Sequence, residues 1–473
     1  MRRTLRTVLA AATAPLAVAM LGCPAAQAIT PPEIDPDAVP PSGAPGPVAP
    51  MAQRGACLTA GVLPGTDPGA PTASQTMLDL PEAWRYSRGD GQLVAVIDTG
   101  VRPGPRLPNV EPGGDFVEST DGLTDCDGHG TLIAGLIAGQ PGDDGFSGVA
   151  PGARVLSIRA TSARYSTRDP GADRGVGRIA LEVTALARAI VRAADLGARV
   201  INVSVVTCLP ADENIDQNPL GAALRYAVVD KDAVVIAAAG NNRMGLNPGS
   251  SCPSNPLSAP GRPQDPRNWT EVTSVSIPSW WQPYVLSVGS VGPSGRASDF
   301  TMAGPWVGIA GPGEGIASVG NADGGGLANA LPNDQGDLFP LNGTSYAAAY
   351  VSGVAALVRS RFPELNARQV MDRLTASAQG ASREPSNLTG AGLVDPVAAL
   401  TWDVSEAVGR REAPRPSPVA APPLPEPPDA TPRVVAFTGA GLLVAAAVIT
   451  AALAAHRRRE QQSLDPQTRT ETR

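Results

Sequence analysis

The chain has 473 residues, with 37 Lys and Arg against 44 Asp and Glu, a formal charge of −7, and only 2 His and 5 Cys. The acidic balance argues against nucleic acid as the main partner, and so few histidines, with no CxxC pair, speak against a zinc finger or a His-rich metal centre. An apolar share of 42% is that of a globular chain, whereas 52 Gly and 49 Pro give loops and linkers an unusual share.

The N-terminus reads as a secretory signal over residues 1–28. Arg2, Arg3 and Arg6 form a basic region, Val8 to Leu21 an apolar one, and Ala26-Gln27-Ala28 a small-x-small cleavage pattern. A lipoprotein site at Cys23 is the rival reading of this stretch. A proline-rich extension follows over 29–79; its segment Pro31 to Pro50 has too few apolar residues to fold alone.

From about Leu80 to Trp402, strand-like and helix-like stretches alternate, and 80–402 is taken as the folded body. Leu93 to Ile97 is a short, wholly apolar run, the mark of a strand buried on both faces. Asp98 ends that run. A carboxylate at the carboxyl end of a strand can hold an imidazole in one tautomer and stabilise its charged form. Asp98-Thr99-Gly100 also has the look of an aspartic-protease motif, but such a site needs two carboxylates sharing a proton and the chain has one such motif.

His129 opens the next helix-like stretch, which runs to Ala138. His456 falls in the C-terminal tail, so any histidine-dependent chemistry in the body must use His129. Its setting, Asp127-Gly128-His129-Gly130-Thr131, leaves room for a partner side chain. Arg154 to Ile158 is a predicted strand. Arg178 to Leu196 is a predicted helix, with Ile179, Val183, Leu186, Ile190 and Leu196 on its apolar face. Strands Val200–Val205 and Val234–Ala238 flank a helix near Gly221–Val229. Asn241, just past the latter strand, carries an amide that can donate to an oxyanion, together with the Ser345 backbone N–H. A strand at Val285–Val288 and helices at Ser345–Arg359 and Ala367–Ala376 close the body. Ser345, in Asn342-Gly343-Thr344-Ser345, stands at a helix start; a serine becomes a nucleophile only if a base takes its proton. Taken alone it would pass for a helix cap. This alternation predicts an α/β fold, a parallel sheet with helices on both faces, with the site at the carboxyl ends of the strands.

Residues 403–433 read as a proline-rich linker, with nine prolines between Ala413 and Pro432. Val434 to Ala455 is an uncharged run of 22 residues, about 33 Å as a helix, against a hydrocarbon core of about 30 Å. His456-Arg457-Arg458-Arg459 follows at once. The positive-inside rule therefore puts the tail, 456–473, in the cytoplasm and the body outside, on a single-pass anchor in the cell membrane.

Four cysteines remain past the signal: Cys57, Cys126, Cys208 and Cys252. An even count in an exported body suggests two disulfides, and sequence permits three pairings, with four free thiols as the other reading. Cys208 and Cys252 each follow an apolar run. If those runs are adjacent parallel strands, both cysteines lie at one sheet end, which favours Cys208–Cys252 and leaves Cys57–Cys126.

Three stretches carry a resemblance: Val94-Ala95-Val96-Ile97-Asp98-Thr99-Gly100, His129-Gly130-Thr131 with Ala134-Gly135, and Gly343-Thr344-Ser345 with Ala347. In this order they resemble the signatures of subtilisin-type serine proteases, the handling of which by an Asp, His, Ser set is well known. Gly148-Val149-Ala150-Pro151-Gly152-Ala153 and Ala238-Ala239-Gly240-Asn241 also match family stretches. The resemblance implies a three-layer subtilisin-like fold in which Asp98 orients, His129 is the base, Ser345 the nucleophile and Asn241 the oxyanion donor, with no cofactor and no metal. The whole layout resembles the mycosins, membrane-anchored proteases of mycobacterial type VII secretion systems. That implies protein or peptide substrates secreted by the system, a place in the secretion membrane complex and an N-terminal extension that wraps the body; a Cys57–Cys126 bond would fit such wrapping. The sequence departs from the wider subtilisin pattern at Leu132, Ile133 and Ala349. Val203-Ser204-Val205-Val206 lacks the usual lining of the first specificity pocket. No calcium site carries over, since Asp125-Cys126-Asp127-Gly128 has no later bidentate Glu.

Overall fold

The computed structural model describes residues 29–169, 171, 175–242, 252–258, 261, 264–380, 385–404 and 431–463. The expected signal (1–28), most of the linker (405–430) and the end of the tail (464–473) lie outside the described residues. The chain divides into two units between Arg411 and Glu412.

The first unit is built on Leu93–Asp98 (β1), Val110–Asp115 (β2), Arg154–Arg159 (β3), Val200–Val203 (β4), Val234–Ala238 (β5), Val285–Val291 (β6), Val307–Pro312 (β7), Gln379–Gly380 (β8) and Gly392–Leu393 (β9). They form one sheet in the order β8-β9-β7-β6-β5-β4-β1-β3-β2. Every pair is parallel except β8 with β9 at one edge. Strand order turns back at β1: β3 lies on one side and β4 on the other. A crevice forms outside the carboxyl ends of the strands at such a reversal.

The period of two in β1 sorts its side chains between two cores. Val94 and Val96 pack with His129–Ala138 (α1) and Thr344–Arg361 (α4). Leu93, Ala95 and Ile97 pack on the other face with Gly175–Asp195 (α2) and Asn218–Arg225 (α3). The result is three layers, helix, sheet and helix. Helix α1 is buried at every position and α4 from Thr344 to Arg359, so both are enclosed on all sides, with polar side chains such as Ser345 and Ser352 buried among the apolar ones. Helix α2 is two-faced, with Ile179, Val183, Leu186 and Ile190 buried. Leu196 departs from the sequence reading: it falls past the helix end and is exposed.

Several elements differ from the periodicity reading. Strand β2 carries Glu-Pro-Gly-Gly, which has no strand period; it pairs with β3 as the sheet edge, where a proline is tolerated, with Pro112 opposite Ser157 and a register shift between Pro112 and Gly114. Strand β7, Val-Gly-Ile-Ala-Gly-Pro, hides the same way behind its glycines. A Cβ on Gly311 would lie 2.7 Å from the Ala347 carbonyl oxygen, so this glycine lets α4 approach the sheet. The predicted helix near Gly221–Val229 is α3, starting at Asn218 and passing into a π-helical turn over Tyr226–Asp230.

The extension runs along this unit. Met51–Gln53 pairs antiparallel with Tyr165–Thr167, and Gly61 bridges Ala330. Thr72 caps the short helix Ala73–Met77 through a reciprocal bond with Gln75.

The described residues of the second unit form a long helix, Thr431–Ser463 (α5). Its stretch Phe437–Glu460 contains an 18-residue window of mean hydropathy 2.1 and is long and apolar enough to cross a membrane.

Candidate active site

Asp98 is the last residue of β1, His129 the first of α1 and Ser345 the second of α4. Each therefore projects from the end of a buried element. The His129 Nδ1 lies 2.7 Å from Asp98 Oδ1, and its Nε2 lies 3.1 Å from Ser345 Oγ. All three residues are buried. The Thr99 backbone N–H donates to the same Asp98 oxygen at 2.7 Å. Tyr346 packs its ring 5.6 Å from the imidazole and closes one side of it. The chain of contacts runs carboxylate, imidazole, hydroxyl, an arrangement able to draw a proton from Ser345 and hold it on His129.

Burial by itself would lower the His129 pKa, but the charge and hydrogen bond of Asp98, with Asp125 and Asp127 behind it, outweigh that and raise it above the ordinary 6.5. The imidazolium that forms when Ser345 loses its proton thus meets three carboxylates.

Asn241 follows β5 after Ala239 and Gly240. Its Oδ1 accepts from the Thr344 N–H at 3.0 Å and from Thr344 Oγ1 at 3.1 Å. These two bonds orient the amide, and its Nδ2 has no hydrogen-bond partner among the described residues. The hydroxyl of Thr344 also accepts from the Gly240 N–H at 3.2 Å, tying the loop after β5 to the start of α4. On the other side, Ser204 Oγ donates to the Ser345 carbonyl at 3.3 Å. Behind it, Asn202 Nδ2 donates to Ser204 Oγ at 2.6 Å, and Ser352 Oγ to Asn202 Oδ1 at 2.9 Å. This buried polar chain joins β4 to α4 and holds the Ser345 backbone. Sequence reasoning passed over Asn202, Ser204 and Thr344; a polar residue inside an apolar strand, Ile201-Asn202-Val203, was the available signal.

Segment 125–129 joins three parts of the site. Asp125 Oδ1 and Oδ2 bind Thr99, just after the strand that Asp98 ends, and Thr131, on the helix that His129 opens. Asp127 binds Ser162 Oγ and the Ala163 N–H on the next loop. Between them Cys126 is bonded to Cys57 of the extension, with Cα atoms 4.4 Å apart. The second disulfide joins Cys208 to Cys252, 5.5 Å between Cα atoms. Each of the four predicted cysteines is thereby placed.

A cleft of about 980 Å³ lies near these residues in sequence, though none of Asp98, His129 and Ser345 lines it. Its walls include Ile97 next to Asp98, Asp127, Val205 and Val206 after β4, Tyr165, and Met51 of the extension. Mostly apolar, it suits an extended peptide segment. Among the described residues no group of three or more His, Cys, Asp or Glu is arranged to hold a metal ion.

The geometry agrees with what comparison to known proteins finds. Residues 89–392 match the subtilase family, Peptidase_S8. The chain is similar to Mycosin-3 of Mycobacterium tuberculosis, 64% identical over 439 residues, covering 93% of this chain and 95% of the relative. Among solved structures it is similar to the MycP3 protease of the type VII (ESX-3) secretion system, with a TM-score of 0.77 and 68% identity, covering 79% of this chain and all of that one. A chain within the intact ESX-5 inner membrane complex matches with a TM-score of 0.77 and 46% identity, covering 90% of this chain and all of that one. A subtilisin-like fold, the ordered motifs and these likenesses converge: the chain belongs to the subtilase family of serine endopeptidases and, within it, to the mycosins.

Proposed function

We propose that the chain is a membrane-anchored endopeptidase that cleaves proteins secreted by a type VII secretion system, using Asp98, His129, Ser345 and Asn241. The observation that carries this reading is the unbroken contact from Asp98 through His129 to Ser345. Ser345 Oγ attacks the scissile carbonyl carbon while His129 Nε2 takes the hydroxyl proton. Asn241 Nδ2 and the Ser345 N–H bind the oxyanion, and Asp98 holds the imidazolium. Collapse of the tetrahedral adduct expels the amine, which leaves with the proton from His129. Water then enters, His129 takes a proton from it, and the acyl ester on Ser345 is hydrolysed.

The body, 80–402, faces the envelope exterior, with the extension 29–79 bound along it, a linker over 403–433, a membrane helix over 434–455 and a cytoplasmic tail over 456–473. Two disulfides suit an oxidising compartment, and the basic run after the apolar helix suits a cytoplasmic tail. The likeness to a chain of the ESX-5 inner membrane complex supports a secretion complex as partner, and it favours a second reading beside the first: a structural subunit whose proteolysis is dispensable.

Mass spectrometry of secreted proteins from wild type, Ser345→Ala and a deletion strain tests both. Uncleaved substrate with intact secretion in Ser345→Ala, and lost secretion only in the deletion, supports both roles. Identical cleavage products in wild type and Ser345→Ala would overturn the protease assignment of this site.

A further inference from the structure

Asp125 is a buried carboxylate that the reaction above does not use. It accepts five hydrogen bonds. Oδ1 takes the Thr99 hydroxyl at 2.9 Å, the Asp127 N–H at 3.2 Å and the Gly128 N–H at 2.8 Å. Oδ2 takes the Thr131 N–H at 2.9 Å and the Thr131 hydroxyl at 2.6 Å. Thr99 follows Asp98, and Thr131 lies one turn into the helix that His129 opens. The Thr99 hydroxyl also accepts from the Gly130 N–H at 2.9 Å, so the two elements are cross-linked twice. Helix α1 has no side-chain cap, since Gly128 stands at its cap position; Asp125 supplies the missing acceptor from outside.

We propose that Asp125 is a positioning residue, whose carboxylate clamps the end of β1 to the start of α1 and so holds the His129 imidazole on Asp98 and in line with Ser345. The inference rests on the protease reading of the triad and deepens it. A carboxylate only accepts, so both oxygens serve these donors fully when Asp125 is ionised. The charged groups facing it are Asp98 from the end of β1, and Asp127 and His129 from its own segment. Arg102, also near Thr131, turns its guanidinium outward to Asp323. Burial, with some contribution from the Asp98 charge, pushes the Asp125 carboxyl up to about 6. A proton gained by Asp125 on the acid side therefore takes an acceptor from the clamp, in addition to the proton that His129 takes up.

The full chain in detergent micelles, with its disulfides intact, serves as the test. Reaction with a serine-directed fluorophosphonate counts competent sites, and peptide hydrolysis gives kcat and KM across pH. Asp125→Asn is expected to lower kcat by about 10–100-fold, the cost of an imidazole moved off line by under an ångström, with KM within about twofold. The acid limb of wild type should fall with two protons and that of Asp125→Asn with one. With ¹³C-labelled histidine, only two residues report, and the His129 titration should move to lower pH in the variant because a negative charge is lost. If Asp125→Asn does not fold, Thr131→Val removes one of the five donors in a near-isosteric side chain and is expected to act in the same direction, with Thr131→Ser restoring wild-type kinetics. Wild-type kcat in whichever variant folds overturns the inference. Failure of the wild-type chain to react with the fluorophosphonate would instead overturn the protease reading.

Discussion

The Nε2 of His129 and the Oγ of Ser345 stand 3.1 Å apart although 216 positions separate them in the chain. That distance is a hydrogen bond, and it makes the two side chains one functional unit. Replacing either by Ala is expected to cost about 10⁶-fold in kcat, the magnitude carried over from subtilisin, and the double replacement little more than either alone. Active-site titration and single-turnover hydrolysis would measure it.

Asn241 is oriented by Thr344 through its carbonyl oxygen, which leaves the amide nitrogen as the donor. Asn241→Ala is expected to lower kcat by about 10²–10³-fold with KM little changed, again the scale known for subtilisin, because the bond it makes forms only as charge develops. Thr344→Val should show a smaller loss of the same kind, since its backbone N–H still reaches Asn241. A steady-state kcat and KM split distinguishes this from a binding defect.

The pH dependence follows from the direction of the His129 shift. In the proposed mechanism neutral His129 is the base, and its pKa is raised, so kcat/KM should rise with pH through a midpoint above 6.5. Asp98→Asn should move that midpoint down. The linkage has the opposite consequence for stability: a raised histidine pKa contributes stability that is full below the unfolded value and lost as pH rises through the folded one. Activity should therefore increase over a range in which this group's contribution to stability declines, which thermal unfolding at several pH values would show.

Gly130 follows His129 directly. A Cβ there would sit 2.0 Å from the Gly100 carbonyl oxygen and 3.2 Å from Asp98 Cβ. Gly130→Ala must push α1 away from the end of β1, on a site that tolerates no such shift. We expect loss of activity together with about 1–3 kcal/mol of stability, the usual cost of overpacking. A variant with wild-type turnover would contradict the close approach of these two segments.

The Cys57–Cys126 bond closes 69 residues. In the chain-entropy account a loop of that length is worth up to about 4 kcal/mol, and Cys57→Ser should lower the denaturant midpoint accordingly. Because Cys126 lies between Asp125 and Asp127, the variant should lose activity at lower denaturant than it loses helix signal. Circular dichroism and peptide hydrolysis on the same samples would separate the two transitions.

Sequence patterns were informative wherever a feature is local. The run Val94 to Ile97 announced a strand buried on both faces, since a period-two element with no polar face has no side to offer water. Helix α2 was legible from its apolar spacing, and the C-terminal run from its length alone. Strands β2 and β7 were not legible, because glycine and proline carry no hydrophobic period and their strand conformation comes from the neighbours they pair with. The end of α2 was misjudged at Leu196 for a related reason: an apolar residue at the right spacing is buried only if something stands opposite it.

By itself, then, the order of residues determined the chemical stock of this protein: one histidine in the body, a carboxylate closing a buried strand, a serine opening a helix, and an uncharged run long enough for a bilayer. These are properties of composition and short-range spacing. Only the tertiary structure decided that residues 31 and 216 positions apart lie within hydrogen-bond reach, that Asp125 accepts five bonds beneath them, and that Cys57 is bonded into the same segment. Such relations are set by how strand ends and helix starts converge once the two cores close over the sheet, and no local pattern carries that information.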